Sequence, residues 1–112
     1  MPRDDRVYLE HIRDAIDRVE MYVKGFDEPR FKKEPLVQDG VIRQLEIIGE
    51  AVKRLSPAFR SSHPSIPWPD ISRMRDKLIH DYFGVDIEKV WLTVQQDIPP
   101  LKAEVLKALL SE

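Results

Sequence analysis

The sequence predicts an all-α protein, an up-and-down bundle of four to five helices. Apolar residues recur at three-and-four spacing through several long stretches, no stretch alternates convincingly with the period of two that a half-buried strand needs, and the breaks fall on proline, glycine and serine. Internal repeats, low-complexity tracts and glycine-rich phosphate loops are absent.

The first helix starts from Asp4 or Asp5 as N-cap, carries Leu9, Ile12, Ile16, Val19 and Val23 on one face, and stops near Gly25. Residues 24–34 read as a polar loop with a basic cluster, Arg30, Lys32 and Lys33, that is either solvated or touches phosphate. Pro35 suits a first helical turn, and Val37, Val41, Leu45, Ile48, Val52 and Leu55 stripe a second helix that ends at Ser56-Pro57. Inside it Gly49 costs on the order of 1 kcal/mol of helix propensity relative to alanine, which points to close approach by another helix. Glu50 beside it either pairs with a cation such as Arg75 or stands on the surface. Residues 56–67, with three prolines, four serines and His63, read as a loop with little regular structure. A third helix runs from Trp68-Pro69-Asp70 through Ile71, Met74, Leu78 and Ile79 to about Tyr82, with Gly84 as its stop. Asp86 caps a fourth, with Val85 stapled onto Val90 and a stripe of Ile87, Val90, Trp91 and Val94. Pro99-Pro100 interrupts or kinks it, and Leu101, Val105, Leu106 and Leu109 resume the apolar face.

At 112 residues the chain reads as a single domain, 1–112, with one core. Hydrophobic residues at 42% and charged residues at 34% suit a compact protein with charged helix surfaces rather than a disordered one. The absence of cysteine excludes disulfides, thiolate metal sites and a cysteine nucleophile, and fits a cytoplasmic protein. Met1-Pro2-Arg3-Asp4-Asp5-Arg6 holds no apolar signal-peptide core, and no apolar run approaches the roughly 20 residues of a membrane span. The net charge of −2 argues against a broad nucleic-acid platform, which draws its affinity from a basic surplus; a focused site escapes that objection. No DNA partner is expected. His11, His63 and His80 are not paired at metal-ligand spacing, so no metal is expected either.

The chemistry concentrates in Arg75-Asp76-Lys77-Leu78-Ile79-His80-Asp81-Tyr82, an R-x4-H-x-Y motif on the third helix. Arginine is a permanently charged, planar phosphate ligand, and histidine both takes and gives a proton near neutrality. On a regular helix Tyr82 returns to within about 20 degrees of Arg75, whereas His80 is offset by roughly 140 degrees and stacks over Asp76. Two copies of this helix crossing at a twofold axis would bring Arg75 of one chain to His80 of the other. Asp76 either orients His80 or is an exposed acid. By residue type alone, an arginine and a histidine on one helix are more often surface or interface residues than a catalytic pair.

The segment from Ile66-Pro67-Trp68 through the motif, with Val85-Asp86, Val90-Trp91, the upstream Ile47-Ile48-Gly49-Glu50-Ala51 and the downstream Asp97-Ile98-Pro99-Pro100-Leu101, resembles the HepT-like branch of the HEPN superfamily over roughly residues 5–110. That resemblance implies a HEPN-like bundle and the toxin of a type VII toxin–antitoxin pair, a metal-independent endoribonuclease without a cofactor. It implies Arg75 and His80 as the catalytic residues, a homodimer through the motif helix, and an MntA-like nucleotidyltransferase antitoxin that adenylylates Tyr82. The alternative is a non-catalytic helical subunit that binds such a nucleotidyltransferase and positions its substrate. Trp68 and Trp91 read as core or interface anchors.

Overall fold

The computed structural model describes residues 3–80 and 84–111, with the side chains of 3, 79 and 80 also outside the description. Among the described residues every regular element is helical: α1 Arg3–Val23, α2 Glu28–Lys32, α3 Pro35–Arg54, α4 Pro57–Ser62, α5 Trp68–His80, α6 Ile87–Leu92 and α7 Ile98–Leu110, with a π-helical turn, Thr93–Asp97, between the last two. The result is an all-α bundle. α3 packs against both α1 and α5, α7 lies on α1, and α2 sits against α3 and α6.

The apolar stripes of the sequence become the core. Leu9, Ile12, Ile16 and Val19 of α1 and Val41, Leu45, Ile48 and Val52 of α3 are fully buried, and Leu101 and Val105 of α7 close over them. Leu106 departs from expectation by staying 36% exposed, while Ile98 and Ala108 take up the buried face of α7. α1 ends where Gly25 adopts φ +78, a left-handed conformation that glycine reaches without a Cβ clash.

Asp4 and Asp5 both lie within α1 rather than at its N-cap, and the side chain of Asp5 serves another purpose. It lies inside the first turn, 2% exposed, and its carboxylate accepts the Ser56 N–H at 2.7 Å and the Ser56 hydroxyl at 2.6 Å, tying α1 to the end of α3. The two expected loops both contain a short helix. Asp27 caps α2 by accepting the Arg30 N–H at 2.9 Å, with Pro29 in the first turn, and Ser56 caps α4 by accepting the Phe59 N–H at 3.1 Å, with Pro57 in the first turn. α2 exists to deliver Phe31, which is fully buried with its ring centroid 5.2 Å from that of Trp91. The basic cluster around it is matched by acids, Arg30 with Glu34 at 2.9 Å and Lys32 with Glu28 at 3.6 Å.

Asp86 caps α6 as its sequence suggests, accepting from Glu88 and Lys89. The interruption before Pro99-Pro100 takes the form of a π turn, in which the Ile98 N–H reaches back five residues to the Thr93 carbonyl. Proline removes the donor to the carbonyl four residues back and its ring pushes that carbonyl away, so a widened turn relieves the conflict without ending the helix. Among the described residues no helix is long and apolar enough to cross a membrane.

Candidate functional site

α5 is fixed at its start by Trp68, which is buried and donates its indole N–H to the carbonyls of Arg60 and His63 at 3.1 and 3.0 Å. Ile71, one turn on, is also buried. The helix then crosses α3 at Gly49. A Cβ built on that glycine would lie 2.1 Å from the Arg75 Cβ, closer than any real contact, so the missing side chain of Gly49 is the space in which the Arg75 stem lies.

Seated there, the arginine is only 26% exposed and its guanidinium is divided between two carboxylates. Nη2 stands 3.0 Å from Glu50 Oε2 and Nη1 donates to Asp76 Oδ1 at 3.2 Å. Nε is buried and finds no hydrogen-bond partner among the described residues. Glu50 gives its other oxygen to Arg54 Nε at 3.1 Å, and Asp76 Oδ1 also accepts from Lys53 Nζ at 2.5 Å. Glu50, Lys53 and Arg54 share one face of α3, so an alternating row of charge, Arg54, Glu50, Arg75, Asp76, Lys53, runs across the α3–α5 contact. Lys53 above all, and then Arg75, hold the Asp76 carboxyl below the usual carboxylate range.

The structure brings about the close approach expected at Gly49, and of the two readings open for Glu50 it shows the pairing with Arg75. Lys53 and Arg54 are residues that sequence reading passed over; their signal was the i, i+3 and i, i+4 spacing from Glu50. Whether Asp76 orients His80 turns on a side chain outside the described residues, and Tyr82 lies outside them altogether. The Asp76 carboxylate itself faces Lys53 and Arg75. His63 is more than a loop histidine: its ring stacks on Phe59 and its Nδ1 lies 2.9 Å from Glu104, linking α4 to α7. Among the described residues no three histidine or carboxylate side chains converge as metal ligands.

An arginine so placed can hold a phosphate. Two acids fix its guanidinium while each terminal nitrogen keeps a second N–H, it is part-buried where water screens it less, and it sits beside an open groove between α1 and α3.

The family model described as Ribonuclease HepT-like matches residues 12–108. A Thermococcus cleftensis protein named Probable ribonuclease HepT is 47% identical over 107 residues, covering 96% of this chain and 97% of the relative. A protein of Caldanaerobacter subterraneus subsp. tengcongensis described as a provisional RNase is 45% identical, covering 96% of each. A Methanocaldococcus jannaschii protein described as a gamma-glutamylcyclotransferase and provisional RNase is 46% identical over 97% of this chain; the chain spans only 49% of that protein's length. No solved structure matches the chain.

Proposed function

Because the chain belongs to the HepT-like ribonuclease family, we propose that it cleaves RNA without a metal ion, with Arg75 and His80 as its catalytic residues. The observation that carries this reading is the seat of Arg75 against Gly49, which holds a half-buried guanidinium between Glu50 and Asp76 beside an open groove. In the proposed reaction neutral His80 of one copy takes the proton of a ribose 2′-hydroxyl, the 2′-oxygen attacks the adjacent phosphorus, and the bond from phosphorus to the 5′-oxygen breaks as protonated His80 of the second copy gives that oxygen its proton. The products are a 2′,3′-cyclic phosphate and a 5′-hydroxyl. Arg75 holds the phosphate and stabilises the charge that accumulates on it in the transition state.

In the same reading the chain is one HEPN domain and works as a cytoplasmic homodimer, with Arg75 of one copy meeting His80 of the other across the motif helices. It is the toxin of a type VII pair. An MntA-like nucleotidyltransferase antitoxin transfers AMP to the Tyr82 hydroxyl, and the added negative charge and bulk oppose RNA binding at the neighbouring phosphate site. The net charge of −2 favours a second reading, a non-catalytic subunit that binds such a nucleotidyltransferase.

Total RNA incubated with purified protein and a chelator decides between them. Cleavage by wild type with cyclic phosphate ends, lost in His80→Ala, is the expected result; Arg75→Ala lowers the rate about 10²–10³-fold, with helical content unchanged. Intact ribosomal, transfer and messenger RNA after incubation with unmodified wild-type protein of confirmed mass would overturn it in favour of the second reading.

A further inference from the structure

The groove beside Arg75 holds chemistry that cleavage itself does not use. It encloses about 350 Å³ and is lined by Tyr8 and His11 of α1, Arg43, Glu50 and Arg54 of α3, and Arg75 of α5. The two rings meet edge to face, with centroids 6.1 Å apart. Positions 43, 47, 50 and 54 recur at helical spacing, so one face of α3 forms the floor.

The charges in this groove are unequal. Arg43 lies 3.8 Å from Glu46, which also lines the wall, while Arg54 and Arg75 divide the two oxygens of the single Glu50 carboxylate. With the Asp76 carboxylate and its partner Lys53 counted, four cations, Arg43, Arg54, Arg75 and Lys53, face three carboxylates, Glu46, Glu50 and Asp76, and each arginine commits only part of its five N–H donors to them. Arg43 and Arg54 remain well exposed, at 70% and 58%. A local positive excess in a chain of net charge −2, next to two rings and continuous with a phosphate-holding arginine, fits a short stretch of polyanion with stackable bases.

We infer that this groove is a nucleotide subsite: Arg54 and Arg43 hold RNA phosphates flanking the one held by Arg75, and the rings of Tyr8 and His11 take a neighbouring base. Glu50 acts as a positioning residue that sets the two guanidiniums at a fixed separation. The inference rests on the RNA-cleaving reading, but its test does not require cleavage.

The test is binding of a fluorescently labelled, fully 2′-O-methylated RNA dodecamer, which cannot undergo 2′-hydroxyl attack, measured by anisotropy between 50 and 200 mM salt. Arg54→Gln and Arg43→Gln, which keep much of the side-chain stem, are each expected to raise Kd about fivefold and to lower the slope of log K against log salt by about one. Tyr8→Leu raises Kd with the slope unchanged, because a ring contributes no counterion release. Lys102→Gln, on α7, paired with Glu20 and outside the lining of the groove, serves as the control and binds like wild type. Wild-type affinity and slope in all three groove variants, at unchanged helicity, would overturn the subsite while leaving the cleavage result with His80→Ala untouched. A change in native mass without a change in Kd would overturn it too, making the groove a protein interface. Failure of the wild-type protein to bind this RNA, while still cleaving unmodified RNA, would count against the subsite alone.

Discussion

Gly49 shows how a single missing methyl group positions a functional side chain. Alanine there would place its Cβ 2.1 Å from that of Arg75, and the obstacle is the rigid root of a side chain rather than a movable tip. α3 and α5 would have to separate. Gly49→Ala is therefore expected to destabilise the fold by about 1–3 kcal/mol despite alanine's better helix propensity, as read from the urea midpoint, and to lower RNA cleavage more than the lost stability explains, since Arg75 is displaced from Glu50. Asp5 is the other residue whose role the structure rewrites. An aspartate four or five residues from the start reads as an N-cap because local sequence contains no hint of Ser56, 51 residues away. Its two oxygens accept the Ser56 N–H and hydroxyl, so Asp5→Ala leaves both part-buried donors without their acceptor and should cost about 1–2 kcal/mol. A urea midpoint within error of wild type would show that water replaces the carboxylate.

At the scale of elements, α1, α3, α5 and α7 were legible because each spreads its apolar residues over three or more turns, where the helical period stands out. α2 and α4 were not, since five or six residues carry no measurable period. Their punctuation was present all the same, Asp27 and Pro29 in one and Ser56 and Pro57 in the other, an N-cap followed by a first-turn proline. What hid α2 was the polarity around Phe31, one apolar residue among charges that turns out to be fully buried. The π turn assigns a structural consequence to Pro99-Pro100. Deleting Gln96 would return α6 and α7 to a continuous α-helical register and bring the proline rings back against the carbonyls four residues earlier. That deletion should cost on the order of 3 kcal/mol, and replacing both prolines with alanine in the deleted chain should recover much of it. Equal stability of the deletion with and without the prolines would mean that the packing of α7, not the prolines, sets the wide turn.

Over the whole molecule, ion pairs stitch helices already joined by apolar packing, Lys102 to Glu20 between α7 and α1 and Lys53 to Asp76 between α3 and α5. Two carboxyls give the acid limb of the stability curve opposite signs. Asp76 is depressed by Lys53 and then Arg75, so its contribution is present above the ordinary aspartate range and is lost as pH falls through the folded-state value. Asp97 is raised by burial and by the nearby Asp70, so it binds a proton more tightly when folded, and its unfavourable charge is relieved as pH falls. Urea midpoints between pH 7 and pH 3 should show a flatter acid loss in Asp76→Asn than in wild type. Asp97→Asn makes no cap contact to lose, and should be the more stable protein at pH 7 with a gain that disappears in acid. The sequence by itself determined the fold class, the long helices and the helix that bears the arginine, because amphipathic periodicity and proline or glycine punctuation are local properties that each segment carries with it. Only the tertiary structure decided that Asp5 binds Ser56, that Phe31 enters the core, and that Arg54 and Lys53 extend the charge row begun by Glu50, Arg75 and Asp76. Which side chains meet across two helices depends on their axial offset and rotation, and no spacing within either helix specifies those.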